Sequence, residues 1–439
     1  MTDPTSDPAQ PASADSNSPA FLKAVTQLGR RRPVVTSRAI YNDRGVKLLD
    51  GGVQVDETLY ERLVSHRLSA PLDEGMRSEV SVTGRSLRES SEAALARWPF
   101  FGLMGPSGRV RSMLLQAIEA IPLPPPVAFH VTVVRETRSR LFEHSILMAI
   151  LCAHLVREGG APIHDMTVAA SAGLLHDLGM LHIDAELLDA DNRLTGDERR
   201  PLYVHPLTSS MLISRFREYP KEVARAILEH HEQLDGTGYP RGLAGDAISP
   251  LGRTLALCEV VTAMFDGVRE SPALRVSLLL RVSPQRFDPA LVPSIHRLLR
   301  ALPQTEAGND QKVSESVHHL RALAELLNQW RSASAASVPL LDTSGQAVLN
   351  AVTPQAEALQ RMLFQAGITT EQLDMLAQIP DTDGSLRAEL WALTRELQWH
   401  LQSCANQLRL RWRASVERQA FPPPVATWLD EVDALDRPS

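Results

Sequence analysis

The chain has 439 residues, of which 44% are hydrophobic and 22% are charged, as in ordinary globular proteins. This length exceeds a single compact core and predicts two or three domains. The net charge of −7 argues against a broad surface for binding a nucleic-acid polymer. The three cysteines are far apart and show no CxxC spacing, which indicates buried thiols in a reducing compartment and no disulfide framework.

The N-terminal residues 1–20 are rich in Pro, Ser, Asp and Ala, a composition that predicts a disordered tail. The first 22 residues contain no Lys or Arg and no apolar run, unlike a signal peptide. The longest apolar run, Ile146 to Ala153, is too short to cross a bilayer. These patterns predict a cytoplasmic protein that does not bind a membrane.

Residues 21–105 are predicted to form a small α/β domain with a regulatory role. Ile40-Tyr41 and Val46–Leu49 flank a polar turn whose Gly45 permits positive φ, which indicates a hairpin. Asp56 is a candidate N-cap for a following helix.

Residues 106–300 are predicted to form a mainly helical domain. Apolar residues recur at helical spacing in four segments, at 141–156, 168–181, 222–231 and 250–268.

The C-terminal region, residues 301–439, is also predicted to be helical. One apolar stripe repeats every three or four residues: Leu386, Leu390, Leu393, Leu397, Leu401, Cys404 and Leu408. A helix packed in a bundle is the favoured interpretation, and the seam of a homodimer is the alternative. Trp391, Trp399 and Trp412 beside the stripe are predicted to be packing residues.

Histidines and carboxylates are concentrated in the apolar helical segments, where unpaired polar groups are costly to bury. This part of the chain contains two adjacent pairs, His176-Asp177 and His230-His231, and two single histidines, His144 and His205. Imidazole and carboxylate together suit transition metals, so this set predicts a metal centre, with Glu259 as a further carboxylate. Because adjacent residues in a helix point about 100° apart, each pair can serve two ions, with the aspartate bridging them.

A lone histidine in an apolar helix is more often a hydrogen-bonded core residue than a ligand. This second interpretation applies to four others: His154, His182, His296 and His400.

In their order along the chain, these motifs resemble the HD-GYP proteins, bacterial phosphodiesterases of cyclic di-GMP in the HD metal-dependent phosphohydrolase superfamily. The resemblance extends from Leu141 to Phe265. It is carried by His176-Asp177-Leu178-Gly179, Leu187-Leu188, Leu194-Thr195, Glu198, His205-Pro206, His230-His231-Glu232, Asp235-Gly236-Thr237-Gly238-Tyr239-Pro240, Gly242-Leu243, Gly245, Ile248 and Arg253.

This resemblance implies a helical HD-type fold that holds two divalent or mixed-valence transition metals, iron or manganese. The implied metal ligands are His144, His176, Asp177, His205, His230, His231 and Glu259, with His176 and Asp177 as the catalytic pair. A hydroxide that bridges the metals would open cyclic di-GMP to pGpG and/or GMP. The implied substrate-binding residues are Asp235, Gly236, Gly238, Tyr239, Pro240 and Arg253. Whether Tyr239 stacks on a guanine or packs within the protein is open.

The chain departs from the family pattern at several positions. Met180 replaces the usual lysine of HDxGK, Glu259 replaces an aspartate, and Thr262 replaces a second acid. Arg140 stands where some members carry a glutamate for a third metal, so two metals are expected. These departures predict slow hydrolysis. The alternative is a catalytically degenerate sensor of cyclic dinucleotides that acts through a signalling-protein partner.

Overall fold

A computed structural model describes residues 18–56, 59, 63–188, 200–266, 272–302, 313–365, 373, 384–416 and 420–435. The chain divides into two compact units. The first comprises Met1–Asp266 with Gln285–Leu302, and the second comprises Gly267–Pro284 with Pro303–Ser439. The sequence-based boundaries at residues 105/106 and 300/301 stay predictions. They differ from this division in that the first unit includes the N-terminal α/β region, and 267–284 groups with the C-terminal helices.

The fold is mainly α, as predicted from the sequence. Its helices are α1 Pro19–Arg31, α2 Gly84–Arg97, α3 Pro99–Gly102, α4 Gly108–Glu119, α5 Pro125–Thr137, α6 Ser139–Glu158, α7 Ile163–Leu175, α8 Arg200–Ile213, α9 Lys221–Glu229, α10 Pro250–Phe265, α11 Pro272–Val282, α12 Val292–Ala301, α13 Val313–Ser337, α14 Thr343–Gln365, α15 Gly384–Ser415 and α16 Pro423–Ala434. Its strands are β1 Val34–Thr36, β2 Ile40–Tyr41, β3 Lys47–Leu49 and β4 Met76–Ser78.

The strands form two small antiparallel sheets in the N-terminal region. β2 pairs with β3 as the predicted hairpin, and Gly45 in its turn has φ of +75°. β1 pairs with β4, so that Val34 lies opposite Ser78. The side chain of Asp56 accepts a hydrogen bond from the Leu59 backbone N–H at 3.2 Å, which fits its predicted role as an N-cap.

Helix α1 packs on the short 3-10 helix at Leu178–His182. Its Phe21 is fully buried and stacks on His130 and His182, with ring centroids 4.7 and 5.3 Å away. Ser18, the N-cap of α1, lies 2.9 Å from the His182 ring, so this histidine is hydrogen-bonded as predicted. The helix begins at Pro19 and so includes the last two residues of the predicted tail, and residues 1–17 lie outside the described residues.

Helix α6 is the central helix of the first unit. It packs against α7 and α10, and its residues from His144 to Leu155 are all buried. Within the described residues it is also the one helix long and apolar enough to meet the length and composition of a membrane span. Two thirds of that apolar window (67%) is buried inside the protein, as in the core helix of a globular domain.

Two helices end earlier than the apolar pattern predicted. The pattern continued through Leu181 and His231, but α7 ends at Leu175 and α9 ends at Glu229. The pairs His176-Asp177 and His230-His231 therefore follow the ends of helices. The apolar pattern persists because Leu178 and Leu181, in the 3-10 helix beyond α7, are also buried.

In the second unit, the predicted stripe faces a hydrophobic core. Leu390, Leu393, Leu397, Leu401, Cys404 and Leu408 of α15 are buried in one cluster with residues of α13, α14 and α16. The side chain of Leu386 lies outside the described residues. Trp412 packs in the cluster, but Trp399 is 43% exposed, so its predicted role as a packing residue was wrong. A homodimer through these helices stays a prediction.

Candidate metal centre

The predicted metal ligands come from five elements of the first unit. His144 lies in α6, His176 and Asp177 follow α7, and His205 lies in α8. His230 and His231 follow α9, and Glu259 lies in α10. Among these residues, His144, His176, Asp177, His205 and His230 are each at most 8% exposed.

Three of the histidines are oriented by backbone carbonyls three residues earlier in the chain. Nδ1 of His176 donates to the carbonyl of Gly173 at 2.8 Å, and Nδ1 of His230 donates to that of Ile227 at 2.6 Å. His205 makes the same bond to Leu202. A carbonyl only accepts, so each Nδ1 carries its proton and the lone pair of a neutral ring is at Nε2.

The Nε2 atoms of His205 and His230 face each other at 3.1 Å. With both Nδ1 positions protonated, two neutral rings would bring two lone pairs together at this distance. A shared cation satisfies both nitrogens. Oδ1 of Asp177 lies 3.1 Å from the His205 nitrogen and 3.7 Å from that of His230, so it adds a negatively charged ligand atom to this group.

A second group of ligand atoms surrounds Glu259. Its Oε2 lies 3.1 Å from Nε2 of His144 and 3.3 Å from Nε2 of His176. The other oxygen of Asp177, Oδ2, lies 3.3 Å from the same His176 nitrogen. The longer side chain of glutamate therefore still reaches the two histidines. Asp177 directs one oxygen to each group, which is the arrangement of a bridging carboxylate.

The donor set fits two transition-metal ions. Ligand atoms that each lie about 2.1 Å from one ion are about 3.0–3.4 Å from one another, which matches most of the separations above. Nε2 of His176 and Oδ1 of Asp177 are buried and have no hydrogen-bond partner in the described protein. Buried polar atoms without such partners are costly unless an ion binds them.

His230 and His231 both contribute to the group around His205. Adjacent residues within a helix would point about 100° apart, but this pair lies beyond the last residue of α9 and is free of that constraint. Their ring centroids are 4.1 Å apart.

In the metal-free centre, the pKa values of His144 and His231 are shifted in opposite directions. Burial opposes protonation of His144, but Glu259 and then Asp266 outweigh it and raise its pKa to about 10. Burial and neighbouring histidines lower the pKa of His231 to about 3. Although burial alone would raise them, the pKa values of Asp177 and Glu259 are held well below their usual range by the histidines beside them. Both carboxylates are therefore ionised and ready to bind cations.

Asp266 is a residue of this site that sequence reasoning missed. Its Oδ2 accepts a hydrogen bond from Nδ1 of His144 at 2.5 Å. The contact joins residues 122 positions apart in the chain, so no local pattern pointed to it. The spacing of seven residues from Glu259, close to two helical turns, is the one signal that could have placed it on the same face of α10.

The positions that depart from the family pattern differ in burial and in their contacts. Met180 is half-buried in the 3-10 helix after Asp177, and its carbonyl accepts a hydrogen bond from the Arg138 guanidinium. Arg140, which stands where some members carry a glutamate for a third metal, is exposed. Thr262 is fully buried, and its hydroxyl has no hydrogen-bond partner among the described residues.

The loop that follows His231 is held by the buried carboxylate of Glu232. Its two oxygens accept hydrogen bonds from the backbone N–H groups of Arg241 and Leu243, at 2.7 and 2.8 Å. Gly238 packs so closely that a Cβ there would lie 2.4 Å from the Cα of Glu232. The loop is thus fixed to the residues that carry the metal ligands.

The predicted substrate-binding residues occupy this loop in different ways. Asp235 accepts two hydrogen bonds from Thr237, and Gly236 has φ of +77°. Tyr239, which precedes a cis Pro240, stacks on His231 with ring centroids 4.6 Å apart. This ring contact fits the packing alternative, and substrate binding by Tyr239 stays a prediction.

Arg253 is engaged by protein groups. Its guanidinium lies 2.8 Å from Asp246 and 3.5 Å from Asp288, and it donates to the carbonyls of Ile248 and Gly245. This arrangement favours a structural role, in which Arg253 of α10 holds the segment before the helix.

The motif region also matches known proteins. A family model described as an HD domain matches residues 131–291. Cyclic di-GMP phosphodiesterase PA4108 of Pseudomonas aeruginosa is 35% identical over 123 residues, which are 28% of this chain and 30% of that protein. The 3'3'-cGAMP-specific phosphodiesterase 1 of Vibrio cholerae is 36% identical over 123 residues, 28% of each chain. Residues 131–291 are thus similar to HD domains, as the resemblance of the sequence to HD-GYP proteins implied.

The curated relatives each match about a third of this chain. A third relative, 3'3'-cGAMP-specific phosphodiesterase 3 of Vibrio cholerae, is 28% identical over 164 residues, 36% of this chain and 35% of that protein. The chain thus spans about a third of the length of the relatives it matches. Part of the matched motif, Leu194-Thr195 and Glu198, lies outside the described residues.

Proposed function

We propose that the HD-GYP domain is a cytoplasmic, metal-dependent phosphodiesterase that hydrolyses cyclic di-GMP to pGpG and/or GMP. The observation that carries the proposal is the carboxylate of Asp177, whose two oxygens face two separate groups of ligand atoms. Relatives named as phosphodiesterases of cyclic di-GMP and of 3'3'-cGAMP support a cyclic dinucleotide as the substrate class.

The residues of the centre would hold two ions, iron or manganese, side by side. When bound, such ions supply an activated water and neutralise the charge of the phosphate oxygens. Asp177 would bridge them, with His205, His230 and His231 on one side. His144, His176 and Glu259 would hold the other. Because these ligands are mostly buried, their electrostatic interactions with the ions would be stronger than in water.

The loop from Asp235 to Pro240 would shape the substrate end of the site. Asp235, Gly236, Gly238, Tyr239 and Pro240 are proposed to contact the dinucleotide. Tyr239 would do so with the part of its ring that His231 leaves exposed. The attachment of the loop to Glu232 would keep these contacts in register with the ions.

The second candidate function is a sensor that binds a cyclic dinucleotide and passes the signal to a protein partner. The observation that favours it is Met180, which places an apolar side chain where the HDxGK pattern of the resemblance has a lysine. A phosphate that binds without this cation would be held by the ions and hydrolysed slowly or not at all.

The decisive experiment measures hydrolysis and binding together. Metal-free full-length protein is loaded with Mn²⁺, or with Fe²⁺ under anaerobic conditions, and incubated with cyclic di-GMP or 3'3'-cGAMP. Products are separated by chromatography, and binding is measured by calorimetry. The control is Asp177→Asn. Release of pGpG or GMP by wild type alone supports the phosphodiesterase, whereas binding without any product from fully loaded protein contradicts it and favours the sensor.

A further inference from the structure

His144 is oriented differently from the other histidines of the metal centre. His176, His205 and His230 each donate Nδ1–H to the carbonyl three residues earlier. His144 lies inside α6, and the corresponding carbonyl, that of Leu141, accepts a hydrogen bond from the Ser145 hydroxyl at 2.9 Å. The Nδ1 of His144 instead donates to the carboxylate of Asp266, on another element.

The position of Asp266 makes it a fixed acceptor. It directly follows α10, and its backbone N–H donates to the carbonyl of Thr262 at 2.9 Å. Seven residues separate it from Glu259, close to two helical turns, so both carboxylates extend from one face of α10. Glu259 approaches Nε2 of His144, and Asp266 binds Nδ1 of the same ring.

A carboxylate at Nδ1 has two consequences for a ligand histidine. It fixes the tautomer, so that the lone pair is at Nε2, and it makes the ring a stronger donor to a metal. A carbonyl also fixes the tautomer. It carries no net charge, however, so it strengthens the ring as a metal ligand less than a carboxylate does. His144 is the one ligand histidine for which the described residues supply this charged partner.

We propose that Asp266 is a positioning residue for the ion held by His144, His176 and Glu259. It acts through His144 and does not touch the ion. The proposal rests on the metal centre proposed above and is independent of the substrate. Loss of such an outer carboxylate typically lowers metal affinity about 10–100-fold. We expect the loss at one of the two ions only, because Asp266 contacts no ligand of the His205 group in the described structure.

Three variants separate charge from geometry. Asp266→Ala removes the acceptor, Asp266→Asn keeps an acceptor of similar size without the charge, and Asp266→Glu keeps the charge. Asp165→Asn is the matched control, because Asp165 is an exposed aspartate in α7 of the same unit. All are prepared as metal-free full-length protein and titrated with Mn²⁺ by calorimetry.

The expected result is two Mn²⁺ ions in wild type and in the Asp165→Asn control. In Asp266→Ala one ion should bind about 10–100-fold more weakly, with a smaller loss in Asp266→Asn and recovery in Asp266→Glu. A second readout is the far-downfield proton resonance of the His144 Nδ1–H, which should disappear in Asp266→Ala.

Three outcomes would overturn the proposal. Unchanged binding in folded Asp266→Ala would show that His144 needs no such partner. Equal loss of affinity for both ions would indicate a general structural effect. If the alanine variant does not fold, Asp266→Asn, which keeps the size of the side chain, provides the same comparison. A wild type that binds no Mn²⁺ would overturn the metal centre together with this role. Both conclusions come from metal binding and do not depend on whether the protein hydrolyses a dinucleotide.

Discussion

Asp177 Oδ1 and His205 Nε2 lie 3.1 Å apart, although 28 residues separate them in the chain and they belong to different helical segments. The other oxygen of the same carboxylate lies beside His176. One side chain therefore belongs to both groups of ligand atoms, and its removal should affect both ions.

We expect replacement of His176 and Asp177 together by alanine to abolish metal binding, because the pair supplies a terminal ligand and the bridge. The measurement is the metal content of purified protein by elemental analysis, about two ions per chain in wild type. The matched control is the exposed pair His164-Asp165 in α7, replaced in the same way. Wild type without metal after both aerobic and anaerobic purification would contradict the prediction.

Removal of the metals should destabilise the first unit. The buried carboxylates and histidines stay in place without the ions, and an ion that binds only the folded state adds stability by mass action. Chelation should therefore lower the melting temperature, measured by calorimetry. A melt that does not change in protein shown to have lost its metals would argue against a buried centre.

A lysine at position 180 should raise the rate of hydrolysis. It would place a positive charge near the charge that develops on the phosphate, and such a contact is typically worth on the order of 10²-fold in rate. Only the side chain changes, so the bond from Arg138 to the backbone of Met180 is kept. The comparison is Met180→Lys against the neutral Met180→Gln, with metal content measured in each.

If wild type is already fast and Met180→Lys gains nothing, another cation serves the phosphate. If both proteins are inert with their metals loaded, the sensor takes precedence over the enzyme as the proposed function.

Replacement of Leu397 by aspartate should destabilise the second unit by roughly 3–5 kcal/mol, because it removes a buried side chain and buries a charge. Leu397 is 1% exposed in the cluster of α13 to α16. The melting temperature should fall and the metal content should not. Trp399→Asp is the control in the same helix, since Trp399 is 43% exposed. A Leu397→Asp variant as stable as wild type would contradict the packing of α15.

Acid should destabilise the first unit through His154. Burial lowers the pKa of this histidine to about 4, and the opposing charge of Glu158 is weaker. The unfolded chain takes up this proton near pH 6.5, so stability falls as the pH drops from about 6.5 to about 4, by at most about 1.4 kcal/mol per pH unit.

The test compares urea unfolding of metal-free wild type and His154→Asn across this range. Both proteins keep the ligand histidines, so the difference between the curves isolates His154. The advantage of wild type should shrink as the pH falls, and parallel curves would contradict the prediction.

The candidate ligand residues could be identified from the sequence because the motifs are short and local, and because their order along the chain resembles that of a known family. His176-Asp177 and His230-His231 could be read directly, and the apolar spacing of α6 and α10 located His144 and Glu259. Their assignment as ligands stays a prediction that the metal measurements test.

Other features could not be read from local patterns. The end of α7 was missed because Leu178 and Leu181 keep the apolar pattern while the backbone turns. Gly179 is required by a tertiary contact, since a Cβ there would lie 2.4 Å from the carbonyl oxygen of His205. This contact is not visible in the local sequence. The bond between Asp266 and His144 depends on how α10 packs against α6, which no single segment specifies.

The bonds from Glu232 to the loop have a consequence for its dynamics. The amides of Arg241 and Leu243 are held by a carboxylate that adjoins the ligands His230 and His231. Opening the loop while these bonds persist would displace the two histidines from their ion. Bound metal therefore raises the free energy of any opening that moves the loop and Glu232 together.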